Sequence, residues 1–398
     1  MKIAFLTRNY PPDSLWGGDA VVYHNLARGL AQRGHEVHVV CQATGKAGES
    51  VQDGVFVHRV GTNARRYSVT ARLDYNFRSW ARLKKIVRTR GIQLVDTPDW
   101  SAEGFLYSLH KQTPLVVTAV GSTDDPLETK NYAGVLQLGA LLLLSHLRNL
   151  TLKRADRVVA ISQDSYEAVL RRYPVDRKAV VKVPLGIDTD KFRPAEPGSG
   201  RTEFGLPSDA SIVAFVGRLE ARNGVHLLCQ AIPQVAVRLP DTRFVFVGRD
   251  TNTAPGGGSF RQYITRRAGD SARFIEFLSD EELVRLYSAS DVCVYPALSS
   301  TFGLPIAEAM ACGKPVVATP VGIAPELEPH DSGGLTVVAT QEPRELAEAI
   351  VRYLTAPRAC RDRIARSNRE LVESRFSIPV WVDQVSDLYA ELLAERTR

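Results

Sequence analysis

Residues 300 to 319, STFGLPIAEAMACGKPVVAT, place an anion-binding turn, a single acid and a strand in direct succession. Phe302, Gly303, Leu304 and Pro305 open a helix at a glycine, where a ligand can approach bare backbone. A helix start carries unpaired N–H groups and partial positive charge, so phosphate is its natural guest. Glu308 follows one turn inside the helix, on the side facing such a ligand. Gly313 supplies the stop, and the run from Pro315 to Ala318 reads as a parallel strand. Arg218 stands just beyond a second apolar run, Ile212 to Val216, at the strand end where ligands of open α/β sheets bind. Fixed cations and backbone amides of this kind can neutralise a departing phosphate.

The elements that must position these groups repeat one scheme twice. Lys2 to Thr7 reads as a strand, Tyr10 to Gly18 as a Pro/Gly-rich loop, and Asp19 to Arg33 as a helix whose Val22, Leu26 and Leu30 form one apolar stripe. Gly34 ends that helix, and Glu36 to Cys41 is the next strand. Further strands are expected at Val55 to Val60, Leu94 to Asp96, Leu115 to Ala119 and Arg157 to Ile161. A second set is expected at Ile212 to Val216, Phe244 to Val247, Phe274 to Phe277, Val292 to Tyr295 and Val316 to Ala318. Between the sets, residues 183 to 200 are rich in Pro and Gly and lack apolar periodicity, as an interdomain hinge would. After Pro379, Trp381, Val385, Leu388 and Leu392 recur at helical spacing. Ser279 with Glu282 three positions on is a capping-box signal for the helix between.

At 398 residues the chain exceeds one comfortable core, so two domains are expected. Lys2 leads directly into a strand, which argues against a signal peptide, and the apolar stretch from Val135 to Leu144 is too short to span a bilayer. Five cysteines without metal-ligand spacing fit buried thiols in a reducing cytoplasm. The net charge of +6 is uneven, because residues 1 to 190 carry +8 and the remainder −2. Much of the excess lies in Arg72, Arg78, Arg82, Lys84, Lys85, Arg88 and Arg90, which read either as a solvated helix face or as a weak peripheral contact with an anionic membrane or acceptor. Nucleic-acid binding is not expected, for the basic segment lacks interleaved aromatics at suitable spacing. Asp188 and Asp190 form an Asp-x-Asp in the hinge, and no zinc spacing, GxSxG, Walker A or GxGxxG occurs.

The 300–319 segment, with AFVGRLEARNGV around Arg218 and FIEFLSDEELVRL from Phe274, resembles the retaining glycosyltransferases of family 4, and the resemblance spans nearly the whole chain. It implies the GT-B architecture, two facing Rossmann-like, doubly wound α/β domains with a cleft between them. The expected domains are 1–187, with a crossover helix 379–398 returning to it, and 188–378. It implies a cytoplasmic, metal-independent hexosyltransferase-like enzyme that needs no cofactor and takes a UDP- or GDP-linked sugar. The acceptor would be a small molecule or a glycoconjugate, as in natural-product biosynthesis. Arg218 would hold the diphosphate, Glu308 the ribose, and Phe302, Gly303 and Leu304 would offer backbone to the donor. Gly17 and Gly18 would lie near donor phosphate and acceptor, and Arg218 with Gly18 would be the catalytic pair. Asp99 and Val120 would lie on the acceptor side. Retention implies front-face transfer with the leaving phosphate as base.

Three positions depart from the family pattern. Ser300 replaces an acid that contacts the donor sugar, Asn223 a lysine on the phosphates, and Val120 a histidine near the transferred sugar. Arg222 and Arg249 could restore positive charge. The departures leave two readings, an active enzyme with an unusual donor or acceptor, or a weakened homologue that binds nucleotide sugar or supports a partner enzyme. A two-domain sugar-nucleotide epimerase shares the architecture but would require acid–base pairs that His24, Asp99, His110 and Asp124 do not supply in a defensible spacing.

Overall fold

The structure, a computed structural model, describes residues 1–12, 18–62, 69–100, 102–121, 135–195, 199–328, 333–339 and 342–396. The chain divides into two compact units, Met1–Gly186 with Ile378–Arg398, and Ile187–Ser377.

Among the described residues the first unit holds eight strands: β1 (Lys2–Leu6), β2 (Glu36–Gln42), β3 (Gly48–Gln52), β4 (Val55–Val60), β5 (Leu94–Pro98), β6 (Leu115–Ala119), β7 (Arg157–Ala160) and β8 (Val180–Lys182). Their order is β3-β4-β2-β1-β5-β6-β7-β8. All pairings are parallel except β3 with β4, an antiparallel hairpin turning at Asp53 and Gly54. β1 is central, with Lys2 opposite Glu36 and Ile3 opposite Leu94, and the strand order reverses around it. Buried on both faces, the central strands are continuous apolar runs, which is why they were legible. β3 and β8 were not expected: Gly-Glu-Ser-Val-Gln is an edge strand held by its hairpin, and Val-Val-Lys is too short to declare itself.

The second unit holds β9 (Ile212–Val216), β10 (Arg243–Val247), β11 (Ala272–Ile275), β12 (Val292–Tyr295), β13 (Val316–Ala318) and β14 (Leu335–Val337). They form an all-parallel sheet in the order β11-β10-β9-β12-β13-β14, reversing at β9. β11 lies two residues earlier than the apolar letters of Phe274 to Phe277 indicate. Phe244 pairs with Ala272 and Phe246 with Phe274, leaving Phe277 beyond the strand and 69% exposed. β14 was also unexpected.

The last helix, Ile378–Glu395, belongs to the first unit, where it packs on helix Gly18–Gln32 and buries Trp381, Val385, Leu388 and Leu392. Arg33 ties the two helices by donating to Asp383 Oδ1 at 2.6 Å and to the Pro379 carbonyl at 2.8 Å. A buried polar knot fixes the same helix to the sheet. Tyr23 and Tyr389 each donate to one carboxylate oxygen of Asp96 at 2.7 Å, and Thr118 adds a bond at 3.1 Å. Of the segment expected as a hinge, residues 187 to 192 are fastened to the second unit. Arg369 donates to the carbonyls of Phe192 and Thr189, and the Ile187 N–H bonds Phe376. Asp188, half of the Asp-x-Asp, accepts from the Lys191 N–H at 3.1 Å and so closes a turn. Cys41, Cys229, Cys293 and Cys312 are buried free thiols, whereas Cys360, expected buried, is only half-buried on an outer helix.

Burial pushes Asp96 up to about 6, against hydrogen bonds from Tyr389, Tyr23 and Thr118 that pull it down. Its folded value exceeds the unfolded one, so this group favours the fold below about 4, and that contribution is lost as pH rises through about 6. Tyr389→Phe removes a donor that the ionised form needs most, at a cost of about 1.5–3 kcal/mol. Thermal melts should therefore show a larger drop in midpoint for Tyr389→Phe at pH 8 than at pH 5; equal drops would mean that Asp96 is not ionised inside the fold.

Candidate active site

In the second unit the loops that leave the carboxyl ends of β9 and β12 meet backbone to backbone. Gly224 adopts φ 69° between the 3-10 turn Ala221–Asn223 and helix Val225–Arg238, and a Cβ there would stand 1.7 Å from the Pro296 carbonyl oxygen. The Leu298 N–H donates to the Arg222 carbonyl at 2.8 Å across the same junction. The order reversal at β9 thus holds the Arg218 loop against the loop that leads to Gly303, at the crevice where doubly wound sheets take ligands.

Arg218 lies in the first loop with its side chain 60% exposed, 3.1 Å from Glu220. Arg222 reaches the same carboxylate at 3.4 Å, so two guanidiniums share one acid and the loop keeps a net positive charge for an anion. Asn223, expected at the phosphates, instead turns its amide back to the Arg218 carbonyl at 2.9 Å, where it braces the arginine's backbone. Arg249, beyond β10, lies 3.8 Å from Glu276.

In the second loop Gly303 has φ 90° and ψ 51° and caps helix Leu304–Ala311, with Pro305 in its first turn. Only glycine holds this conformation without strain; Pro305 has no N–H and the Ile306 N–H donates back to the Gly303 carbonyl at 2.9 Å, so the backbone this helix start can offer a ligand is that of Gly303 and Leu304. Leu304 is the half-buried first residue of that helix. The Phe302 side chain does not reach the surface: its ring is buried 6.4 Å from Phe376, and its carbonyl accepts from Ile323 at 2.8 Å. Phe302 therefore anchors the turn from beneath and leaves only backbone for a donor. Ser300 is half-buried and its Oγ accepts from the Tyr295 hydroxyl at 3.1 Å, so a neutral hydroxyl stands at this expected donor-sugar position.

Glu308 lies one turn into the helix, half-buried, and Tyr287 donates to its Oε2 at 3.1 Å. Burial pushes the acid up to about 7, the Tyr287 bond pulls it down, and Asp280 and Lys191 act at longer range in opposite senses. Lys191 and Asp280 pair at 2.7 Å beside it. Sequence reasoning missed Tyr287. The signal was present, because Tyr287 sits with Val284 and Leu286 on the buried stripe of helix Asp280–Ala289, and a buried phenol needs a partner. That helix begins with the expected capping box at Ser279 and Glu282.

In the first unit, Asp99 follows β5 and is buried, with its Oδ1 accepting from the Gly121 N–H at 2.8 Å. Burial raises its pKa, and the charge of Arg148 and neighbouring N–H groups opposes the rise. Val120 follows β6, half-buried and apolar. Trp100, also missed, is 39% exposed beside them with the Arg72 guanidinium 5.9 Å from its ring centre. Gly18 is the first residue of helix Gly18–Gln32, and Gly17 lies outside the described residues.

Two doubly wound units, one with a glycine-capped helix start, a paired arginine loop and a half-buried carboxylate at its switch point, define an α/β protein of the GT-B class. The family model described as Glycosyltransferase Family 4 matches residues 16–191, and the one described as Glycosyl transferases group 1 matches residues 210–356. The chain belongs to the family 4 glycosyltransferases and is a glycosyltransferase of that type. It is 28% identical to D-inositol 3-phosphate glycosyltransferase 2 of Catenulispora acidiphila over 95% of this chain and 91% of that one. It is likewise 28% identical to the D-inositol 3-phosphate glycosyltransferase of Mycobacteroides abscessus, over 84% and 76%. Among solved structures, sucrose-phosphate synthase of Thermosynechococcus elongatus superimposes with a TM-score of 0.79 at 23% identity, covering 99% of each chain. Anabaena HepE in complex with UDP-glucose does so at 0.74 and 22%, covering 98% of this chain and 100% of that one. Both share the fold. No helix among the described residues is long and apolar enough to cross a membrane.

The raised pKa of Glu308, pushed up to about 7 by burial, gives its expected ribose role a testable consequence. Were ribose hydroxyls to donate to the ionised acid, binding would expel its proton, and affinity for a nucleoside diphosphate should rise with pH between about 6 and 8. In calorimetric titrations Glu308→Gln should bind about tenfold more weakly and keep only the pH dependence of the ligand's own phosphate. An identical pH profile in both proteins would remove Glu308 from the ribose.

Proposed function

We propose that this glycosyltransferase uses a nucleotide-diphosphate sugar, UDP- or GDP-linked, and transfers the sugar with retention to a small-molecule or glycoconjugate acceptor. The observation that carries the reading is the switch point of the second sheet, where the glycine-capped backbone at Gly303 and Leu304, the Arg218–Arg222 pair and the Glu308 carboxylate are of the kinds that suit phosphates and ribose. HepE, solved in complex with UDP-glucose, supports a nucleotide-sugar donor. The relatives named for D-inositol 3-phosphate support a polyol-type acceptor.

The residues of this chain divide the work. As the glycosidic C–O bond breaks, the electron pair leaves with the diphosphate, and Arg218 with the helix start stabilises the charge that develops. Arg218 is held for this by Asn223 on its backbone and Glu220 on its side chain. The acceptor hydroxyl attacks on the face the phosphate leaves, and its proton passes to that phosphate, so no separate base is required. Ser300 offers a neutral hydroxyl to the donor sugar and Val120 an apolar wall on the acceptor side, a combination suited to a sugar whose hydroxyl pattern differs from the usual hexose. Asp99 and Trp100 belong to the acceptor side, and exclusion of water from the assembled site would suppress donor hydrolysis.

Contact with an anionic membrane surface is a second reading for helix Val69–Arg90. Leu73 is 40% and Phe77 59% exposed at helical spacing, beside Arg78, Lys84 and Lys85.

The test is turnover of a panel of nucleotide sugars, followed by nucleoside diphosphate release, with polyol and sugar acceptors. Arg218→Ala should lower kcat/KM for the accepted donor by about a hundredfold or more. Donors that bind but are never turned over with any acceptor would instead establish the weakened, nucleotide-sugar-binding homologue.

A further inference from the structure

The first unit contains an open groove of about 480 Å³ that the transfer chemistry does not use. It is bounded by the β3–β4 hairpin and helix Val69–Arg90, and among the described residues the guanidiniums of Arg59, Arg78 and Arg82 line it together with the carboxylate of Glu49. Each guanidinium is held in place. Arg59 donates to the Ser50 hydroxyl and the Pro11 carbonyl, both at 3.0 Å, and Arg78 donates to Asp74 at 2.7 Å. Arg82 is paired with Glu49 and lies 3.1 Å from His58 Nδ1.

Behind Arg82 stands a buried chain with only one consistent assignment of protons. Arg82 donates to His58 Nδ1, His58 Nε2–H donates to His38 Nδ1 at 3.0 Å, and His38 Nε2–H donates to Glu36 at 3.1 Å. The two imidazoles stack, and Glu36 is closed off by Lys2 at 3.1 Å. Burial lowers His58 to about 4, so it remains a neutral acceptor at ordinary pH and keeps Arg82 aimed at the groove. Guanidiniums fixed in advance lose little freedom when an anion arrives, and their planar forks match a phosphate's oxygens.

We propose that this groove binds a phosphomonoester, with Arg82 and Arg78 as the principal ligands and Glu49 occupying Arg82 until the phosphate displaces it. The site lies within the first unit and does not depend on the identity of the sugar donor. Two sources share this chemistry, a soluble phosphorylated molecule and the headgroup of a phosphatidic-acid-like lipid.

The full chain would be titrated calorimetrically with inorganic phosphate and glycerol 3-phosphate, and separately floated with phosphatidylcholine vesicles with and without phosphatidic acid. Arg82→Gln and Arg78→Gln should each weaken binding about ten- to a hundredfold. Glu49→Gln should tighten it, a change of opposite sign that a damaged fold cannot imitate. Phosphate bound at the helix start of the second unit would respond to none of these substitutions, so the donor reading can fail without this one, and the reverse. Binding of soluble phosphomonoester with these responses assigns the soluble source; binding only to the phosphatidic acid vesicles, with the same responses, assigns the lipid source. If neither probe binds, or if binding is unchanged by both Arg82→Gln and Glu49→Gln, the proposal is wrong.

Discussion

The contact on which the candidate site rests is one of backbone against backbone. Gly224 brings the end of the β9 loop onto the Pro296 carbonyl, closer than any side chain would permit, and Leu298 closes the junction with a hydrogen bond to Arg222. A methyl group at residue 224 would push apart the two loops that carry Arg218 and Gly303. A guanidinium and an open helix start can address one diphosphate only while those loops stay together, so the electrostatics of the site depends on a steric vacancy.

The acids of the protein are used in two different ways. Asp96 is surrounded by three donors and pins the last helix to the first sheet, so its burial serves architecture. Glu308 has one donor, Tyr287, and an accessible edge, so its raised pKa leaves unspent hydrogen-bonding capacity for a ligand. A partly satisfied carboxylate at a switch point is the signature of a binding group; a fully satisfied one in a core belongs to the scaffold.

The positions that depart from the family pattern are not simply vacant. Asn223 no longer offers charge but steadies Arg218 from the backbone side, and Arg222 adds a second cation on Glu220. Ser300 accepts from the Tyr295 hydroxyl and so keeps a neutral hydroxyl tied to the end of β12. The Arg218 loop thereby keeps two guanidiniums on one acid, while the turn before Gly303 carries a neutral hydroxyl.

Local pattern was enough for the two-unit organisation, the central strands, the helix stripe of Val22, Leu26 and Leu30, the capping box at Ser279 and the turn at Gly303. Each rests on periodicity, caps or glycine placement within a few residues. The same local view misplaced β11, because Phe274 to Phe277 is apolar yet only Phe246 and its neighbours decide the register. It missed edge strands β3, β8 and β14, whose letters are weak and whose pairing comes from a neighbour. Tyr287 against Glu308, Asn223 folded back on Arg218, Phe302 turned into the core and the relay from Glu36 to Arg82 all join residues distant in sequence or reverse a side chain's direction. Residue types along the chain thus sufficed to announce the glycosyltransferase class and the glycine-capped helix start with its acid. Which groups touch the ligand, and which merely hold others in place, was decided by the folded packing, because burial and hydrogen-bond partnership exist only once distant segments meet.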